Sequence, residues 1–315
     1  MNSHLALLGD TPVITASAPH FSWPPITDGT TKAVFTQLRD SISIYDRSGV
    51  VAELEDALCD YFGVQHAVLT SSGTAALHSA YVASSHRARR RGDRAGYTFL
   101  TTVAPLLHLG AVPILADCDA TGNISVDDVA ARITPRTTAI MVTHLWGIPA
   151  ALEGLSVLAD KHGLALLEDG SHAHGATIGR QKVGTFGRSA ALSMNGPKPL
   201  SAGEGGFVLT DDDEVFYRVL LHGHYNKRCR SEIPANHPLY PYAVTGMGLK
   251  FRIHPLAASI ALDQLSHLDE YLAGRATIAA YLCDQLGRLP GIVAPAILEG
   301  NQPASLVRSA SDVRA

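Results

Sequence analysis

No apolar run in this 315-residue chain approaches the roughly 18 residues that a membrane-spanning helix needs. The opening stretch, Met1 to Asp10, has no basic segment leading into an apolar one, which argues against a secretory signal. Cysteine is scarce. Cys59, Cys118, Cys229 and Cys283 form no CxxC pair, so neither a disulfide framework nor a zinc knuckle is expected. They read instead as small apolar residues in a reducing compartment. The 15 histidines include no HExxH spacing. His172 and His174 would share a face on a strand, but no third ligand accompanies them, and no metal site is expected. Charge is also sparse, at 17% of residues with a net −4, against 46% apolar residues. That balance excludes a disordered chain and argues against a broad basic surface for nucleic acid. One local basic cluster stands out, Arg87, Arg89, Arg90, Arg91 and Arg94. What is left is an enzyme-sized chain, expected in the cytoplasm, with neither nucleic acid nor membrane as partner.

Short apolar runs alternate with amphipathic stretches through most of the length. Ala67–Thr70, Val112–Leu115, Ala139–Val142, Leu164–Leu167 and Phe207–Thr210 read as buried strands. Helices are expected over 75–91, over 125–132 with Ser125 as N-cap, over 151–162 with Gly163 as the stop, and over 212–221. From Pro255 the pattern is helical again, with a break expected near Gly274 and a stop at Leu289–Gly291. This order is the signature of an α/β fold with a mostly parallel sheet flanked by helices. Ligands bind such sheets beyond the carboxyl ends of the strands. Two polar clusters, Ser71–Thr74 and Glu168–His174, fall at such ends.

A third polar segment follows, Ser193-Met194-Asn195-Gly196-Pro197-Lys198-Pro199, running on to Gly205-Gly206. A carboxylate at a buried strand end is costly without a partner, and a lysine between proline and glycine turns has no evident packing role. Taken singly, Asp169 reads as a cap, Lys198 as a surface charge and Ser-Gly-Thr as ordinary helix capping. Taken in this order, they suit pyridoxal 5′-phosphate. Asp169 would keep the pyridine nitrogen protonated, Lys198 would form the Schiff base, and the helix start at Gly73-Thr74 would hold the phosphate.

The segments Tyr61-Phe62-Gly63-Val64, Thr70 to Leu77, Tyr97-Thr98-Phe99, Gly110-Ala111-Val112-Pro113, Glu168 to Gly175 and Lys198 to Gly206 resemble the DegT/DnrJ/StrS family of sugar aminotransferases. The resemblance covers about Gly49 to Leu289 and implies fold type I of the pyridoxal-phosphate enzymes. It implies that Lys198 is the cofactor lysine and catalytic proton shuttle, that Asp169 meets the pyridinium nitrogen, and that His172 lies near the ring oxygen. Gly73, Thr74 and Ser193 match phosphate positions. Phe99 matches an aromatic that stacks on the ring, or is a core aromatic. Gly248-Leu249-Lys250-Phe251-Arg252 resembles a segment whose third residue reaches the phosphate of a neighbouring subunit. Lys250 stands at that position, as a phosphate-binding cation or a solvent-facing lysine, and a homodimer with sites at the interface is implied.

The chain departs from the family pattern in three places. Gly92–Gly96 replaces an apolar strand before Tyr97, and the Asp usual after Gly147-Ile148-Pro149 is absent. Most of the C-terminal small domain is expected to be missing: residues 1–250 form the large cofactor domain with an N-terminal arm, and residues 251–315 the helical start of a shortened second domain with a polar tail. Two functions stand open. One is amino transfer from glutamate or glutamine to a keto-sugar or keto-cyclitol, in sugar, polysaccharide or secondary-metabolite biosynthesis. The other is a catalytically impaired or partner-dependent cofactor-binding protein. Related sugar dehydratases carry histidine in place of the lysine, so Lys198 argues against that branch.

Overall fold

A computed structural model of the protein describes residues 23–84 and 100–304. The basic cluster at 87–94, the segment at Gly92–Gly96 and Phe99 lie outside the described residues. In chain order the elements are α1 (Asp28–Asp40), α2 (Gly49–Phe62), β1 (His66–Thr70), α3 (Gly73–Ser84), α4 (Leu100–His108), α5 (Val126–Arg132), β2 (Ala139–Thr143), α6 (Leu152–His162) and β3 (Ala165–Asp169). There follow β4 (Thr177–Ile178), β5 (Gln181–Lys182), β6 (Ser189–Ser193), β7 (Gly206–Thr210), α7 (Asp213–Gly223), α8 (Lys227–Glu232), α9 (Pro255–Ser266), α10 (Leu268–Leu286) and β8 (Asn301–Gln302). No helix among the described residues is long and apolar enough to cross a membrane.

The main sheet has the order β1-β7-β6-β3-β2, with β2, β3 and β6 parallel and β7 antiparallel to both its neighbours. Four strands therefore run one way and β7 the other. Both faces are covered, which is why these strands read as continuous apolar runs rather than alternating ones. The side chains still alternate in destination. Ala67, Leu69, Ala190, Leu192, Phe207 and Leu209 pack with α2 and α9. Val68, Met141, Leu167, Ala191 and Val208 pack with α3 and α7. Ile140, Val142 and Leu166 pack with α5 and α6. A small second sheet, β5-β4-β8, lies outside this core.

Helix boundaries follow the capping chemistry. Ser125 caps α5 by accepting from the Asp128 amide, and Asp212 caps α7 by accepting from Glu214 and Val215. Gly163 ends α6 in the left-handed conformation at φ 63°. Two expectations fail. Val112–Leu115 is not a strand, and Val112 and Leu115 are exposed. An apolar run becomes a strand only beside a ladder partner, and this segment pairs with no strand among the described residues. The break in the last helical region falls at His267, between α9 and α10, and Gly274 continues the helix. Glycine weakens a helix interior by only about 1 kcal/mol, whereas the turn at His267 lets Leu268 reach the α2–α9 core.

Candidate active site

The strand directions bring the polar clusters to one edge. β1 ends at Thr70, β3 at Asp169 and β6 at Ser193, while β7 begins at Gly206, which pairs with both Thr70 and Ser193. Beyond β1, the Ser72 hydroxyl accepts from the Ala75 amide and starts α3. The Ser71 amide donates to the Phe251 carbonyl at 2.6 Å. Two glycines permit the close approach here. A Cβ on Gly73 would stand 2.9 Å from both Cα and Oγ of Ser193, and one on Gly206 would stand 2.6 Å from the Ser72 carbonyl and 2.7 Å from the Gly73 nitrogen. The first turn of α3, with Thr74 exposed, is thereby pressed against Ser193. Unsatisfied helix N–H groups and the dipole make this edge a natural place for an anion.

Adjacent acids on β3 separate by strand alternation. Glu168, fully buried, turns away from the site, where its Oε1 accepts from the Phe186 and Gly187 amides at 2.8 and 2.7 Å. Its Oε2 accepts from the Gly184 amide at 2.7 Å and from His144 Nε2 at 3.2 Å. The Ala150 amide donates to His144 Nδ1, which leaves the proton on Nε2. Asp169 faces the α3 side, 4% exposed, and accepts from the Thr102 hydroxyl at 2.7 Å and the Ser171 amide at 3.1 Å.

Lys198 is half-buried on the turn after β6, its amide donating to the Asn195 carbonyl. Burial disfavours its ammonium and lowers its pKa, while the Asp169 carboxylate opposes that shift. The two charges thus feel each other, yet no ion pair within 4.0 Å joins them. His172 has its pKa lowered by burial and then by Lys198, with Asp169 opposing. It is neutral near pH 7, and the Trp146 amide donates to its Nδ1 at 3.3 Å, so Nε2 carries the proton. Two residues on, His174 is wholly buried with neither ring nitrogen within hydrogen-bonding geometry of a partner among the described residues, and burial pushes its pKa down to about 3. Lys250 is exposed, on the segment that runs beside the Ser71 turn.

A single edge therefore gathers Gly73, Thr74, Asp169, His172, Ser193 and Lys198. The donor set suits a phosphorylated pyridine aldehyde: a buried carboxylate held by neutral donors, a half-buried amine within its electrostatic reach, and a glycine-lined helix start. Thr102, Trp146 and Trp23 are contacts that the sequence did not reveal. Thr102 is one hydroxyl among many, and no spacing rule links position 102 to Asp169.

The model of the DegT/DnrJ/EryC1/StrS aminotransferase family matches residues 27–314. The chain belongs to that family. Among its curated relatives is an L-glutamine:2-deoxy-scyllo-inosose aminotransferase of Streptomyces kanamyceticus, 37% identical over 87% of this chain and 65% of the relative. A GDP-perosamine synthase of Caulobacter vibrioides is 31% identical, over 90% of this chain and 72% of its own length. The chain thus spans roughly two-thirds to three-quarters of the length of these relatives. Among solved structures, the aminotransferase from Psychrobacter cryohalolentis superposes with a TM-score of 0.82 at 26% identity, covering 91% of this chain and 75% of the other. For this DegT/DnrJ/EryC1/StrS member the fold is therefore type I of the pyridoxal-phosphate enzymes.

Proposed function

We propose that the protein is a pyridoxal-phosphate-dependent aminotransferase that moves an amino group from glutamine or glutamate to a keto-sugar or keto-cyclitol. The observation that carries this reading is a half-buried Lys198 on the turn after β6, within electrostatic reach of the buried Asp169 at the end of β3 and in no ion pair with it. Pyridoxal phosphate, when bound, supplies an electron sink that stabilises negative charge at the donor's Cα.

The chain's own residues supply the rest. Asp169 would meet the pyridinium N–H of the cofactor, and Thr102 and Ser171 keep its carboxylate aimed. Lys198, its ammonium disfavoured by burial, would be the amine that holds the cofactor's aldehyde carbon and the group that carries the proton during transfer. The Nε2–H of His172 would serve as a neutral donor to the ring oxygen. Gly73, Thr74 and Ser193 would hold the phosphate, and Phe99, outside the described residues, is assigned to the ring face by the family resemblance alone. Lys250 of a second copy is assigned to the same phosphate, which makes the working unit a homodimer. Residues 1–250 are read as the cofactor domain and 251–315 as the start of the second.

Both relatives bear on the acceptor: one is named for an inosose and the other for perosamine. The test is spectroscopic. Added pyridoxal phosphate should give a visible absorption band that Lys198→Ala abolishes, and glutamine or glutamate should bleach it. A colourless wild-type protein refutes the cofactor reading. A band that no amino donor bleaches refutes amino transfer and favours the impaired alternative.

A further inference from the structure

The reactive lysine stands between two residues that have no backbone N–H, Pro197 being on one side and Pro199 on the other. The lysine's amide donates to the Asn195 carbonyl within the turn, whereas no backbone N–H among the described residues donates to the lysine's own carbonyl. That carbonyl is anchored from far away in the sequence. The indole Nε1 of Trp23 donates to Lys198 O at 2.9 Å, across 175 residues, and no other donor reaches this oxygen among the described residues.

Trp23 is itself gripped on two sides. The Arg275 guanidinium of α10 lies over its ring, 4.2 Å from the centroid. Tyr271, one turn earlier, meets it edge-to-face at 5.3 Å. Arg275 is half-buried and has no carboxylate partner among the described residues, and its guanidinium lies against the Trp23 face, which attracts a cation. Helix α10 thus holds an indole, and the indole holds the backbone of the lysine.

We propose that Trp23 is a positioning residue for Lys198, its indole N–H fixing the lysine's backbone and hence the placing of Nζ opposite Asp169, with Arg275 and Tyr271 setting the indole. This rests on the reading of Lys198 as the cofactor lysine. A displaced backbone would move the amine by a fraction of an ångström to an ångström, which is enough to slow bond formation and proton transfer without altering donor binding.

The test compares wild type, Trp23→Phe and Arg275→Gln. Phenylalanine keeps a ring for Arg275 and Tyr271 but removes the N–H. In Trp23→Phe the rate of pyridoxal-phosphate capture by apoprotein should fall about tenfold, and the pH midpoint of the visible band should shift. The turnover number should fall by a similar factor while KM for the amino donor stays constant. Arg275→Gln should move the same quantities in the same direction by a smaller factor. Capture rate, midpoint and turnover within twofold of wild type in Trp23→Phe overturn the proposal. So does a lowered Tm with those quantities unchanged per folded molecule, the mark of a merely structural contact. Should Trp23→Phe not fold, Arg275→Gln decides by the same readings. A wild-type protein that forms no band defeats the cofactor reading and this inference with it; a normal wild-type band with unaltered variants defeats this inference alone.

Discussion

Glu168→Gln should destabilise the fold by about 3 kcal/mol while leaving the active site chemically intact. Either orientation of the glutamine amide sets its NH2 against two donors: the Phe186 and Gly187 amides if it replaces Oε1, or the Gly184 amide and His144 Nε2 if it replaces Oε2. His144 cannot turn acceptor at Nε2, because the Ala150 amide already takes Nδ1. Two buried donors are therefore left unmatched, at about 1–3 kcal/mol each. Relief from burying a charge returns part of that sum, and about 3 kcal/mol remains, more than a hundredfold in the unfolding equilibrium. Asp169→Asn is the control on the same strand. An asparagine can accept from the Ser171 amide and donate to the Thr102 hydroxyl, so its stability should lie within about 1 kcal/mol of wild type. Its loss should fall instead on cofactor binding and on turnover. Urea unfolding of the two cofactor-free variants, followed by circular dichroism, measures both stabilities. Equal losses in the two variants, or a Glu168→Gln loss under about 0.5 kcal/mol, would refute the division of labour between these neighbouring acids.

Acid should weaken the protein through its buried histidines. His174 and His222 are held down to about 3 and about 4 by burial, so below about pH 6.5 the unfolded chain takes up protons that the folded chain refuses. Stability should then fall with pH, down to about pH 4, by about 1.4 kcal/mol per unit for each histidine. His222→Phe should remove one such contribution, and an unchanged slope between pH 6 and pH 4.5 in urea titrations would contradict this. At the helix start, Gly73→Ala forces Ser193 to move and should weaken pyridoxal-phosphate binding at least tenfold, by spectroscopic titration, although alanine ordinarily favours helices. Gly206→Ala meets backbone rather than side chain and should destabilise the protein more than Gly73→Ala does, by comparison of urea midpoints.

The parts of the site that lie on one stretch of chain were legible from residue order alone. Asp169 ends a strand because an apolar run buried on both faces stops where polar residues begin, and the helix after Ser72 starts where a hydroxyl can cap it; β6, which ends at Ser193, is not among the expected strands. What the residue order did not disclose was direction. Glu168 and Asp169 look alike as an acidic pair, and only the pleat sends one into the scaffold and the other to the site. Nor did it disclose partnership across distance. Val112–Leu115 has the composition of a strand but pairs with none among the described residues, so composition alone misassigns it. Thr102 reaches Asp169 across 67 residues, and Trp23 reaches Lys198 across 175. Such contacts follow from the tertiary fold and leave no local pattern. A family motif read along the chain names the lysine and omits what holds it, because the holding residues belong to the N-terminal segment and to α10.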